Sequence, residues 1–412
     1  MPAFLTHWHV LIETAKRSRD AGNDLGSLII DASALRRRAQ EWITPPATLP
    51  AGAVWDTGPL PGINFIFPGS DISAMAYLGA LAPDISYFQK GNFKKKILDY
   101  RRQNRFNPPP SIGNGVSWAD LLHFNRSGDV LLAFLEHTAH IPSPALRSQA
   151  LAFAVGYLSH IATDIALNPC INALAGAYHS NDLPGMFVPL SMHFYVELCL
   201  DEYIAYTYFD RPLYNWIHQP WDQYIEPVAL ACADPSSLSA QVLDLFTDAA
   251  EEIYGLTEEQ SKNFRQDYQV GLQRLRSYLA GSGVFRFLTF NVLARRRRGD
   301  PIIARITEDP HDPAATLNFE QAITYAIHLS EHLCRRAIAY YASLRNTTTT
   351  ASERSRRRSA LCEDLRNWNL ETGYTMDITF DEQVTIHLIH NWVHFARLWE
   401  NEDESIAQPQ YT

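Results

Sequence analysis

Cysteine is scarce in this 412-residue chain. Its five residues, Cys170, Cys199, Cys232, Cys334 and Cys362, lie far apart with no CxxC pair. That excludes a disulfide framework and a cysteine zinc ribbon, and it fits a reducing compartment. GxGxxG, GxxxxGKS/T and GxSxG motifs are missing too, which argues against nucleotide-binding and serine-hydrolase folds. Long apolar runs are also lacking: the longest mostly apolar stretch, Ala150 to Leu167, is broken by His160, Thr163 and Asp164. An ordinary transmembrane helix needs about 18 or more uninterrupted apolar residues, so none is read. The opening MPAFLTHWHVLIETAKRSRDAG has no basic region followed by an apolar stretch and a cleavage site, so no secretory signal is read. The expectation is a cytoplasmic protein, or one exported without a cleavable signal. Excess positive charge is absent as well: 35 Lys and Arg face 45 Asp and Glu, a formal net charge of −10. No nucleic-acid partner is expected from that balance.

What is present is a globular composition, 46% hydrophobic and 19% charged, with an excess of histidine: fifteen, beside nine Trp and nineteen Tyr. Imidazole is a common metal ligand and acid–base group, so the placement of these residues matters. Apolar spacing predicts helices over His7–Arg19, 71–82, 117–138, 144–167, 187–209, 238–253, 258–280, 316–344, 359–367 and 381–399. Gly- and Pro-rich loops are read at 53–70 and 103–115, and the alternating TGYTMDITF at 372–380 is the best strand candidate. The reading is all-α, a multi-helix bundle. The segment NTTTTASERSRRR, 346–358, reads as a flexible linker between a main domain over 1–345 and a C-terminal extension over 359–412.

The central motif is GYLSHIATDIALNP, residues 156–169. On a helix, His160 and Asp164 project from one face a turn apart and can share one metal ion. The segment SMHFYVELCLDEY repeats that geometry with His193 and Glu197. A single such pair is most simply a surface ion pair, since i,i+4 pairs are common. These two lie among apolar residues, where an unpaired acid would be costly and a metal would satisfy it. His7 in FLTHWH, Asp84 in GALAPDISYF and His123 in DLLHFNRSG are further candidates. Together the seven side chains suffice for two or three zinc ions with shared ligands, and zinc suits imidazole plus carboxylate.

In this order, His near the N-terminus, GALAPD, LLHF, GYLSHIATDxxxNP, then HxxxE followed by LD, the chain resembles the zinc-dependent phospholipase C family, whose relatives include P1-type nucleases. The resemblance covers roughly residues 1–345 and implies an all-α fold with up to three zinc ions at the bottom of a cleft. It implies that His123, His160, Asp84 and Asp164 hold one zinc, that His193 and Glu197 hold a second, and that His7 with a bridging Asp164 holds a third. Two departures stand out. The family usually has a histidine after the HxxxD aspartate, where this chain reads Asn168-Pro169; Asn168, Cys170 and His179 are the candidates to replace it. Secreted relatives also use a mature N-terminal tryptophan, so Pro2 or His9 would have to complete the third site. A dinuclear site is the conservative expectation.

Clustered zinc would polarise a phosphodiester and lower the pKa of a bound water. Asp84 is the family-implied catalytic group that would orient or deprotonate that water. The expected activity is a phospholipase C acting on the glycerol-side phosphodiester, phosphatidylcholine by default, at a phospholipid membrane surface with peripheral association. The alternatives are a single-strand nuclease or nucleotidase on the same scaffold, or a degenerate metal-binding member. Trp8, Tyr87, Phe88 and Phe124 are either core residues or contacts for a choline head group. Basic runs at Arg36–Arg38, Lys94–Lys96, Arg295–Arg298 and Arg356–Arg358 are either solvated loop charge or membrane-docking patches. His328 with His332 and His390 with His394 are HxxxH pairs at ligand spacing without the glutamate of HExxH.

Overall fold

The fold is built around a helix that is apolar on every side. A computed structural model describes residues 4–20, 71–86, 118–124, 126–175, parts of 196–208, 231–232, 234–279, 307–309, 312–317, 319–365, 368–370 and 374–375. In chain order these form α1 (Phe4–Asp20), α2 (Asp71–Gly79), α3 (Ala82–Ile85), α4 (Trp118–Phe124), α5 (Ser127–His140), α6 (Pro144–Ala175), α7 (Leu238–Tyr254) and α8 (Glu258–Leu279). They continue with the strands β1 (Thr307–Asp309) and β2 (Asp312–Leu317), helices α9 (Phe319–Arg345) and α10 (Ala351–Leu365), and strands β3 (Trp368–Asn369) and β4 (Tyr374–Thr375). The strands make two antiparallel pairs, β1 with β2 and β3 with β4. The architecture is all-α with these two small additions.

Helix α6 is buried along its middle, from Ala150 to Asn168. A helix hydrophobic all round must be enclosed, and α1, α2, α5, α7 and α9 enclose it. By length and hydropathy its Pro144–Asn168 portion would suffice to cross a membrane, but that portion lies inside the fold. One side is filled by Phe134, Phe153, Tyr157, Phe246 and Phe264, whose rings meet at centroid distances of 5.3 to 6.1 Å. On another side α2 crosses α6 at two glycines. A Cβ on Gly156 would stand 1.9 Å from the Ala76 carbonyl oxygen, and one on Gly79 would stand 2.1 Å from that of Phe153. Only the missing side chains let the two backbones approach so closely.

Three expectations need correction. The helix read over 117–138 is two helices, α4 and α5, because Arg126 adopts a left-handed conformation at φ 55°. Its guanidinium holds the turn by donating to Asp129 Oδ2 at 2.7 Å and to the Ile253 carbonyl at 2.7 Å. The helix read over 71–82 likewise breaks into α2 and α3, with Pro83 in the first turn of α3 where its missing N–H costs nothing. The third concerns 346–358, which is no flexible linker. Thr350 Oγ1 accepts from the Glu353 N–H at 3.2 Å and α10 follows at once. Arg356 and Arg357 pair with Glu353, Arg358 pairs with Glu136 of α5, and Leu361 and Leu365 are buried. The described residues after 345 therefore pack on the same core as those before it, through α9 and α5. Of the strand read over 372–380, Tyr374–Thr375 is observed; 376–380 and the helix read over 381–399 lie outside the described residues.

Candidate metal centre

Five of the seven predicted ligands meet at one point. His7 comes from the first turns of α1, Asp84 from α3, His123 from the last turn of α4, and His160 and Asp164 from the middle of α6. All five are buried, between 0% and 6% exposed. The spacing of four on α6 does what helical geometry requires, placing His160 Nε2 3.1 Å from Asp164 Oδ2. Asp164 faces both ways: Oδ1 lies 3.4 Å from His7 Nε2, and Oδ2 lies 3.6 Å from His123 Nε2. Asp84 does the same from the opposite side. Its Oδ1 is 3.3 Å from His123 Nε2, while Oδ2 is 3.6 Å from His160 Nδ1 and 3.8 Å from His7 Nε2. Within this group His7, His160 and Asp164 offer ligand atoms within 4.8 Å of one another, and so do Asp84, His123 and His160.

The local fold fixes the ring tautomers. His160 Nδ1 lies 2.9 Å from the Ala80 carbonyl oxygen, and His123 Nδ1 lies 2.7 Å from that of Ala119. A carbonyl oxygen only accepts, so each Nδ1 carries the hydrogen and each Nε2 presents a lone pair inward, the usual outer support of a metal-bound histidine. The two Nε2 atoms then face one another at 3.4 Å. Two lone pairs beside two carboxylates need a positive charge between them. Without metal a proton on His160 serves. Burial disfavours that charge, but Asp164 and Asp84 outweigh it and raise the His160 pKa above 6.5. His7 behaves oppositely. Burial and then the His160 charge lower it to about 4, so it is a neutral imidazole at neutral pH, and its ring stacks on His160 at 4.2 Å. Asp84 is held well below the usual carboxylate range, because His160, His123 and His7 together overcome the burial that would raise it. Asp84 Oδ2 is buried without a hydrogen-bond partner. An orphaned carboxylate oxygen amid converging imidazoles fits a divalent cation, and zinc in particular.

The neighbouring residues show how the cluster is held. The α1 N-terminus is capped from a distant helix: Asp201 accepts from the Leu5 N–H at 3.2 Å, the Thr6 N–H at 2.8 Å and Thr6 Oγ1 at 2.8 Å. Burial pushes Asp201 up to about 7, against the pull of those bonds and with help from the Glu197 charge. Asp201 was missed as a site-supporting residue; its only signal was the LD following HxxxE. Glu197 is buried on the same helical stretch and belongs to neither three-ligand group among the described residues. His193 and His179 lie outside the described residues, as do Pro2, Tyr87 and Phe88. His9 is buried with its ring 4.1 Å from that of Tyr208. Trp8 is a core residue: it is fully buried, and its indole N–H donates to the Tyr77 carbonyl at 3.3 Å. Asn168 is buried and donates its amide N–H to the Leu370 carbonyl at 2.6 Å. The other HxxxH pair in the described residues is otherwise engaged, His328 with Arg17 and His332 with Asp364. Arg356–Arg358 lies in α10 and pairs with Glu353 and Glu136; the other three basic runs and the 390/394 pair lie outside the described residues.

Four helices, α1, α3, α4 and α6, thus bring imidazoles and carboxylates together in the bundle core, the way helical bundles build metal sites. Residues 63–233 match the family model described as zinc dependent phospholipase C, a family of phosphodiester hydrolases. The match includes Asp84, His123, His160, Asp164, Asn168, His193 and Glu197; His7 and everything after residue 233 lie beyond it. No curated protein and no solved structure matches the chain.

Proposed function

We propose that the protein hydrolyses the glycerol-side phosphodiester of phospholipids at a membrane surface, with phosphatidylcholine the default substrate and diacylglycerol and a phosphorylated head group the products. The observation that carries this reading is the pair of buried carboxylates, each spanning from His7 to the His123 and His160 side. Two three-ligand groups meet there, sharing His160, and two or three zinc ions per chain is the proposed content. Zinc bound there supplies Lewis acidity toward the phosphodiester and makes a water acidic enough to act near neutral pH. The chain's own residues do the rest. His123, His160, Asp84 and Asp164 hold one ion, with His7 and Asp164 toward another and His193 and Glu197 toward a further one. Asp84, an ionised carboxylate at the centre, is the group placed to orient the attacking water or take its proton.

The test compares phosphorylcholine release from phosphatidylcholine vesicles with nucleotide release from single-stranded DNA, both with zinc-loaded full-length protein. Release from vesicles in excess, abolished together with zinc retention in Asp164→Asn, is the expected result. Nucleotide release alone would reassign the substrate to nucleic acid, and an active, metal-replete Asp164→Asn would refute the bridging role.

A further inference from the structure

A segment far beyond the family match returns to the metal centre. Leu370 is fully buried. Its N–H donates to the His123 carbonyl oxygen at 2.8 Å, and its own carbonyl accepts from Asn168 Nδ2 at 2.6 Å. Two residues earlier the Trp368 carbonyl accepts from Ser127 Oγ at 3.0 Å. The Trp368 indole N–H reaches back to the Asp364 carbonyl at 3.1 Å, tying the segment to α10. Four hydrogen bonds thus stitch residues 368–370 between α4, α5, α6 and α10.

These bonds fall beside the ligands. His123 stands in the last turn of α4, where carbonyls have no helical donor, and the Leu370 N–H fills that vacancy. Helix α4 has seven residues, too few to be stable unaided, so its end depends on what holds it from outside. The His123 ring is itself bonded to the Ala119 carbonyl of α4, so ring and helix end move together. Asn168 lies one turn beyond Asp164 on the same face of α6. Since the Leu370 carbonyl only accepts, the Asn168 amide must direct its NH2 toward the segment.

We infer that residues 368–370 are a positioning strap for the metal centre, holding His123 through its main-chain carbonyl, and that Asn168 is the anchor of this strap on α6 instead of a metal ligand. The inference rests on the zinc reading proposed above for the same site. It gives the Asn-Pro that departs from the family pattern a role of its own.

The substitution Asn168→Asp separates anchor from ligand. As a ligand, a carboxylate should hold zinc at least as well as an amide. As an anchor, it loses the donor and sets an oxygen against the Leu370 carbonyl. In the full-length protein the expected results are about tenfold faster hydrogen exchange at the Leu370 amide and about tenfold weaker zinc affinity, the factors that the loss of one buried hydrogen bond gives. The cobalt(II)-loaded variant should also show shifted visible bands, a sign of altered geometry at the metal that a loss of stability alone would not produce. Unchanged exchange at Leu370, unchanged or tighter zinc affinity, or unchanged cobalt bands would each overturn the inference. Leu370→Pro, which removes the N–H that His123 receives, should reproduce the zinc and cobalt effects with Asn168 intact. If the wild type binds no zinc, the functional reading fails by itself, and exchange at Leu370 still decides whether Asn168 is the anchor.

Discussion

His7 sets the acid sensitivity of the centre. With its folded pKa near 4 against 6.5 in the ordinary imidazole, it binds fewer protons folded than unfolded between those values. Unfolding therefore takes up a proton in that window, and stability falls as pH falls from 6.5 toward 4. His9, lowered to about 3 by burial and by Lys16, acts with the same sign. His160 acts with the opposite sign: its raised pKa contributes stability that is complete below 6.5 and lost as pH rises above it. Urea melts of chelator-treated protein should show stability declining from pH 6.5 to 4.5, with a slope smaller by up to one proton in His7→Asn. Equal slopes in the two proteins would show that His7 is not buried as described. At this scale the candidates His7, Asp84, His123, His160 and Asp164 were readable in advance, because ligand chemistry and a spacing of four are properties of the chain itself. The carbonyls of Ala80, Ala119 and Leu370 were not readable, since a main-chain partner leaves no mark in the residue type.

At the scale of elements, the crossing of α2 and α6 decides whether the centre forms. Ala80, whose carbonyl orients His160, directly follows Gly79, and the approach needs Gly156 bare. Gly156→Ala would press a methyl group against the Ala76 carbonyl and the Ala80 nitrogen, at 1.9 and 2.6 Å. Backbone on backbone cannot yield as a flexible side chain does, so a loss of about 3 kcal/mol is expected, at the upper end for overpacking. Denaturant melts would measure it; a loss below about 0.5 kcal/mol would mean the helices are not in contact there. Most helices could be read from apolar spacing. The failures have local causes. The break at Arg126 needed a left-handed residue that is not glycine, and α10 hid behind a Thr- and Arg-rich composition whose charges are answered by Glu353 and by Glu136 of a distant helix. The domain boundary placed at 345 failed for the same reason: Leu361, Leu365 and Leu370 bury themselves in a core assembled by residues far earlier in the chain.

Across the whole molecule, one apolar helix enclosed by others carries two candidate ligands and receives three more from α1, α3 and α4. The central claim is that this convergence is a zinc cluster. Metal analysis of the full-length protein after dialysis tests it most directly. The account predicts two or three zinc ions per chain; fewer than two would contradict it.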